Sequence, residues 1–121
     1  MHHPRLIEHF KNPRHAGELE AADAVVEVCN AVCGDILKLW VKVEAGRVAA
    51  ISFKCRGCVA AMACGSALTV LAEGRDLHQA DQVTAAAIEG EVGELATASK
   101  HAALLALDAW HAALKALGCR L

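Results

Sequence analysis

From Ala24 the residues alternate, Val26 and Val28 falling on one parity and Val25, Glu27 and Cys29 on the other. A two-residue period predicts a strand with one covered face. Asn30 to Gly34 reads as a turn, and Asp35 to Val43 alternates more clearly, with Leu37, Leu39, Val41 and Val43 facing one way and Lys38 and Lys42 the other. After the short connection Glu44-Ala45-Gly46, Val48 to Cys55 carries Ile51 and Phe53 on its apolar parity, so a third strand returns as a hairpin. Beyond Cys58 the period becomes helical, with Met62, Leu68 and Leu71 among alanines until Gly74. Gly65 in mid-helix is expected to permit close packing on the sheet.

Two short helices are expected at Asp76–Ala80 and Thr84–Ile88, with Asp76 and Thr84 as N-caps. A long last helix is expected from about Ala98 to Leu117, with an apolar stripe of Leu104, Leu107, Trp110 or His111, Leu114 and Leu117. Ahead of the strands, Pro4 to Phe10 forms a helical arm that Asn12-Pro13-Arg14 ends. Strands first and helices afterwards predict an α+β domain over residues 1–121: a three-stranded antiparallel sheet covered on one face by helices, with a long C-terminal helix.

Composition narrows the function classes. A length of 121 residues suits one core, and six cysteines are too few for a disulfide framework. Thiol or metal chemistry in a reducing compartment fits better, and the first residues mix His3, Arg5, Glu8, His9 and Lys11 with apolar ones, unlike a secretory signal. The expected location is cytoplasmic. The longest uncharged stretch, Cys58 to Ala72, is shorter than the roughly 20 residues of a membrane span, so no membrane partner is expected. A formal charge of -2 and four aromatic residues (two Trp, two Phe) supply neither the field nor the stacking surface for nucleic acid.

The chemistry gathers at two thiol turns, Cys29-Asn30-Ala31-Val32-Cys33-Gly34-Asp35 and Cys55-Arg56-Gly57-Cys58. In a meander, the end of strand one, the start of strand two and the end of strand three share one edge, so the turns should meet there. Cys58 stands at a helix N-terminus, whose unpaired N–H groups and partial positive charge favour a thiolate. Asp35 shares the parity of Leu37 and Leu39 and should look toward the helices, and His101 near the start of the long helix can reach the same place. Cys33, Asp35, Cys58 and His101 then form two thiolates, a carboxylate and an imidazole, a donor set suited to zinc or to an iron–sulfur centre. Cys55 is the reserve ligand. Cys64, about 240° around the helix from Cys58, is expected to pack in the core. Cys29 on the opposite parity and Cys119 in the tail are weaker candidates, and His9, His15, His78 and His111 are expected in ordinary core or surface roles.

These residues resemble a known set. His9-Phe10-Lys11-Asn12-Pro13-Arg14-His15-Ala16-Gly17, Cys33-Gly34-Asp35, Phe53-Lys54-Cys55-Arg56-Gly57-Cys58 and Lys100-His101 occur in the order found in iron–sulfur cluster scaffolds of the IscU and NifU N-terminal type. The resemblance implies Cys33, Cys58 and His101 as cluster ligands, with Asp35 as a ligand or a group that tunes cluster lability. It also departs from the pattern. The cysteine usual after the histidine is Ala102, and the L-P-P-V-K segment by which many members engage an Hsp70-type chaperone is replaced by Leu95-Ala96-Thr97-Ala98-Ser99-Lys100. The resemblance therefore does not carry the chaperone partnership across, and it leaves Asp35 or Cys55 to fill the vacant position.

Three functions compete on this reading. The leading one is a non-enzymatic scaffold that receives sulfur from a cysteine desulfurase, assembles a transient [2Fe–2S] cluster and passes it to apo iron–sulfur acceptor proteins. The second is a zinc-bound sulfur acceptor with sulfurtransferase-like activity, in which Cys33 or Cys58 attacks a persulfide. The third is a structural zinc adaptor using Cys29, Cys33, Cys55 and Cys58. A Cys55–Cys58 redox pair ranks below all three.

Overall fold

The computed structural model describes residues 2–31 and 34–118. Cys33 and Cys119 lie outside them. The order of elements is α1 (Pro4–Lys11), β1 (Ala24–Asn30), β2 (Asp35–Glu44), β3 (Arg47–Arg56), α2 (Val59–Ala72), a 3₁₀ turn (Leu77–Gln82), α3 (Ala85–Glu91), a second 3₁₀ turn (Thr97–Ser99) and α4 (His101–Ala116). The strands form one antiparallel sheet in the order β1-β2-β3, as the alternation predicts. Helices α2 and α4 lie on the sheet and on each other, α1 packs on α2, and α3 packs on both α2 and α4. No helix among the described residues is long and apolar enough to cross a membrane.

Leu37, Leu39 and Val41 of β2 are fully buried beneath the helices. On the lysine side of the sheet Trp40 is only 6% exposed, with Lys38 Nζ 5.1 Å from its ring centroid. Val48 and Ile51 both reach the core although they differ in parity. A bulge reconciles them: Lys42 pairs with Ala50 and Val43 with Val48, so Ala49 is an extra residue that resets the phase of β3. The β2–β3 turn is Ala45-Gly46, both with positive φ (52° and 74°), the left-handed pair that matches the twist of a two-residue hairpin.

The arm before β1 is tied down by polar contacts. His9 is a core histidine, 5% exposed, with Nδ1 2.7 Å from Ser66 Oγ and Nε2 3.3 Å from Glu91 Oε1. Arg14 N donates to the same Ser66 hydroxyl at 2.8 Å. His15 O then accepts from Phe53 N, and Gly17 N donates to Phe53 O, so the outer edge of β3 is partly paired.

The helices match expectation in part, with Trp110 and Leu114 of the expected α4 stripe buried. The buried side of α4 is Ala102, Ala103, Leu105, Ala106, Ala109, Trp110, Ala113 and Leu114, whereas Leu104 is 54% exposed. In α2, small residues fill the interface, and a Cβ on Gly65 would stand 2.8 Å from Phe53 Cδ2 and 2.9 Å from Leu37 Cδ1. That is the close approach to the sheet expected of this glycine. The segment after Asp76 is a 3₁₀ turn over Leu77–Gln82, and α4 begins at His101 rather than at Ala98. Thr84 does cap α3, its Oγ1 accepting from Ala87 N at 3.1 Å.

Candidate metal centre

Three element ends converge at one corner of the sheet. Asp35 opens β2, Cys58 is the N-cap of α2, and His101 is the first residue of α4. Cys58 has an extended backbone (φ -72°, ψ 166°), and its Sγ accepts from Ala61 N at 3.4 Å, as a capping oxygen would. Asp35 is 5% exposed and faces the helices, as its parity predicts. Its Oδ1 accepts from Cys58 N at 3.3 Å, while Oδ2 lies 3.5 Å from Cys58 Sγ and 3.6 Å from His101 Nε2. The remaining separation, Cys58 Sγ to His101 Nε2, is 4.0 Å.

Two of these three distances fall in the range for ligands of one metal ion, and the third lies just beyond it. Bonds of about 2.0–2.3 Å in a tetrahedron place the ligand atoms about 3.3–3.8 Å apart, and the three separations here are 3.5, 3.6 and 4.0 Å. Among the described residues Asp35, Cys58 and His101 form the group of at least three metal-binding side chains, with ligand atoms within 4.8 Å of one another. Cys33 lies outside the described residues; in sequence it precedes Asp35 by two.

Gly57 has a different role from a simple turn former. A Cβ at this position would meet Asp35 Oδ1 at 2.5 Å and Cγ at 2.7 Å. The glycine therefore leaves room for the carboxylate to reach the helix N-terminus and aim its second oxygen at the thiol. The spacing Gly57-Cys58 in the sequence marks this place, but only the fold reveals that Asp35 occupies the space.

The expected thiolate at Cys58 needs correction. Although the residue is exposed as a whole, partial desolvation of its thiol raises the pKa above its ordinary value, the Asp35 carboxylate adds to the rise, and the N–H groups of Ala61 and Ala60 oppose it without prevailing. In the metal-free protein Cys58 is a thiol whose S–H is directed at Asp35 Oδ2, so binding a metal must release its proton. The Cys55 thiol is pushed up to about 11, chiefly by burial and then by Asp35. Cys55 and the exposed Cys29 are not members of the three-residue group. Cys64 is fully buried in the core, its thiol pushed up to about 12 by burial. His15 pairs with Glu73 at 3.3 Å, away from the site. Ala102 is 1% exposed, so the residue after His101 turns into the core.

Glu89, which periodicity did not single out, borders the segment leading into His101. Its Oε1 accepts from Lys100 Nζ at 2.8 Å and from Leu95 N at 3.3 Å, beside the start of α4. The available signal was only an acidic residue on a short helix 12 residues before His101.

Comparison with known proteins places the chain in a family. The family model described as NifU-like N terminal domain matches residues 1–120. The iron-sulfur cluster assembly scaffold protein IscU 1 of Archaeoglobus fulgidus is 37% identical over 114 residues, covering 94% of this chain and 74% of that protein. The nitrogen fixation protein NifU of Cereibacter sphaeroides is 46% identical over 112 residues, covering 93% of this chain and 46% of that protein. Among solved structures, the N-terminal part of a NifU-like protein from Brucella abortus superposes with a TM-score of 0.82 at 18% identity, covering 96% of this chain and 93% of that one. At that identity the likeness is one of fold. The sequence match, by its extent and identity, goes further: the chain belongs to the NifU-like N-terminal domain family.

Proposed function

We propose that this chain is a scaffold on which an iron–sulfur cluster is assembled and from which it is passed on, with Cys33, Asp35, Cys58 and His101 as its ligands. The observation that carries the reading is the convergence of Asp35 Oδ2, Cys58 Sγ and His101 Nε2 from three separate elements. It is supported by relatives named as cluster assembly scaffolds. The cargo is a [2Fe–2S] cluster, its sulfur comes from a cysteine desulfurase, and its destinations are apo iron–sulfur proteins. A carboxylate takes the place of a third thiolate. It is a harder and more exchangeable ligand, which suits a cluster that has to leave.

The donor set also favours a second reading, a zinc-bound sulfur acceptor, because one thiolate, one imidazole and one carboxylate at these separations suit tetrahedral zinc. The four-cysteine zinc adaptor lacks comparable support, since neither Cys29 nor Cys55 belongs to the group at Cys58. Anaerobic reconstitution with ferrous iron, a desulfurase with its cysteine substrate and a thiol reductant that converts persulfide sulfur to sulfide decides between the first two. The scaffold reading expects near two iron and two acid-labile sulfide per site, transferable to an apo-acceptor, and loss of both in Cys58→Ala. One tightly held zinc, with persulfide on a single cysteine and no cluster, would replace it with sulfur acceptance.

A further inference from the structure

We propose that Glu89 is a positioning residue for His101, fixing the start of α4 so that the imidazole meets Asp35 and Cys58. The inference rests on the reading of these three residues as ligands. Helix α4 has no side-chain cap of its own: Lys100 occupies the cap position with helical dihedrals (φ -63°, ψ -25°). The 3₁₀ turn before it is held by backbone bonds from Ser99 N to Ala96 O and from Lys100 N to Thr97 O, and Ala102 and Ala103 pack in the core, but no side chain ties the turn's start to its end. A single atom of another helix adds that tie. Glu89 Oε1 on α3 accepts from Leu95 N at 3.3 Å and from Lys100 Nζ at 2.8 Å, binding both ends of the connector that leads into His101. Leu95 itself is 3% exposed, anchored in the core. Lys100 first, and then the Leu95 amide, hold the Glu89 carboxyl below its usual range.

An ordinary surface ion pair contributes little to stability. This one differs in its second donor, a backbone amide, and in lying one residue from a ligand. Metal sites tolerate only about 0.5 Å of misplacement before affinity falls, so a loosened connector should be felt at Nε2.

The test uses Zn2+ alone as probe, with Kd measured by competition against a chromophoric chelator, in wild type, Glu89→Ala, His101→Ala and the double variant. Glu89→Ala is expected to weaken Zn2+ by about 10-fold, as losses of supporting groups around metal ligands commonly do. It should have no further effect once His101 is alanine. Glu89→Gln keeps an acceptor oxygen for Leu95 N and should recover most of the affinity. Lys100→Ala, at an exposed side chain that threatens no core, should show a smaller loss with the same dependence on His101. Unchanged affinity in Glu89→Ala, or an equal loss with and without His101, overturns the positioning role while leaving the site intact. Wild-type affinity in His101→Ala overturns the ligand assignment, and the role of Glu89 falls with it.

Discussion

Asp35 has two jobs that pull on its two oxygens. Oδ1 takes the backbone N–H of Cys58, and Oδ2 stands between the thiol and His101. Both depend on a neighbour with no side chain. Gly57→Ala would place a methyl group 2.5 Å from Oδ1, inside van der Waals contact, so the carboxylate has to rotate away. Because no left-handed backbone is needed at Gly57, alanine is not excluded by its dihedrals, and the fold should survive. The expected result is a metal-free circular dichroism spectrum like wild type with Zn2+ affinity lowered by about 10- to 100-fold, the range for disturbed support of a ligand. Wild-type affinity in Gly57→Ala would show that the carboxylate position does not matter to the metal. The pairing of Asp35 with Cys58 could be anticipated from strand parity, because Asp35 lies in phase with Leu37 and Leu39. The space beneath Gly57 could not, because nothing in a sequence states which side chain will arrive from another strand.

At the scale of elements the strands were legible and the helix faces only in part, for one physical reason. In α4 Trp110 and Leu114 are buried and Leu107 and Leu117 pack on the core as the stripe predicts, while Leu104 does not. A strand's two-residue period is written in large residues such as Leu37, Leu39 and Phe53, and even the out-of-phase Val48 needs only one bulged residue to rejoin them. In α2 the interface is mostly alanine with Gly65 and Ser66, and in α4 alanines lie between Leu105, Trp110 and Leu114; such small residues bury little area each and leave a weak periodic signal beside the leucines. Leu104 illustrates the error: it continues the leucine stripe yet is 54% exposed, beside Ala31 and Asp108 in an open cleft. Ala109 is fully buried. Two opposite substitutions therefore test the packing face. Leu104→Lys should change unfolding free energy by no more than about 0.5 kcal/mol, as at other open surface positions. Ala109→Leu should destabilise by about 1–3 kcal/mol through overpacking. Urea denaturation of the two variants checks both, and a reversed ranking would mean that α4 is rotated from the face described.

For the whole molecule, the question is whether metal holds the fold or the fold holds the metal. The ligands sit at element ends, and the cluster of buried residues that includes Leu37, Leu39, Leu68, Ile88 and Trp110 continues through the sheet and helices without them. Chelation should therefore leave the secondary structure intact, while added Zn2+ raises Tm by mass action on the folded state; collapse on chelation would instead make the site structural. A second global property follows from Cys64, which lies in that core and is not one of the proposed ligands. Its pKa rises from 9.0 to about 12 on folding because burial disfavours the thiolate. A raised folded pKa means that the folded chain binds this proton more tightly than the unfolded chain. The stability it contributes is complete below about pH 9 and is lost as pH climbs toward 12. Between pH 8 and 10.5 that loss amounts to about 2 kcal/mol, at 1.36 kcal/mol per unit above the unfolded value. Cys64→Ala removes the titrating group, so its unfolding free energy should fall less over the same interval, although alanine leaves a small void that lowers stability at pH 8. Urea titrations at the two pH values separate these effects: parallel losses in wild type and Cys64→Ala would assign alkaline weakening to other groups, whereas a flatter variant ties it to the buried thiol.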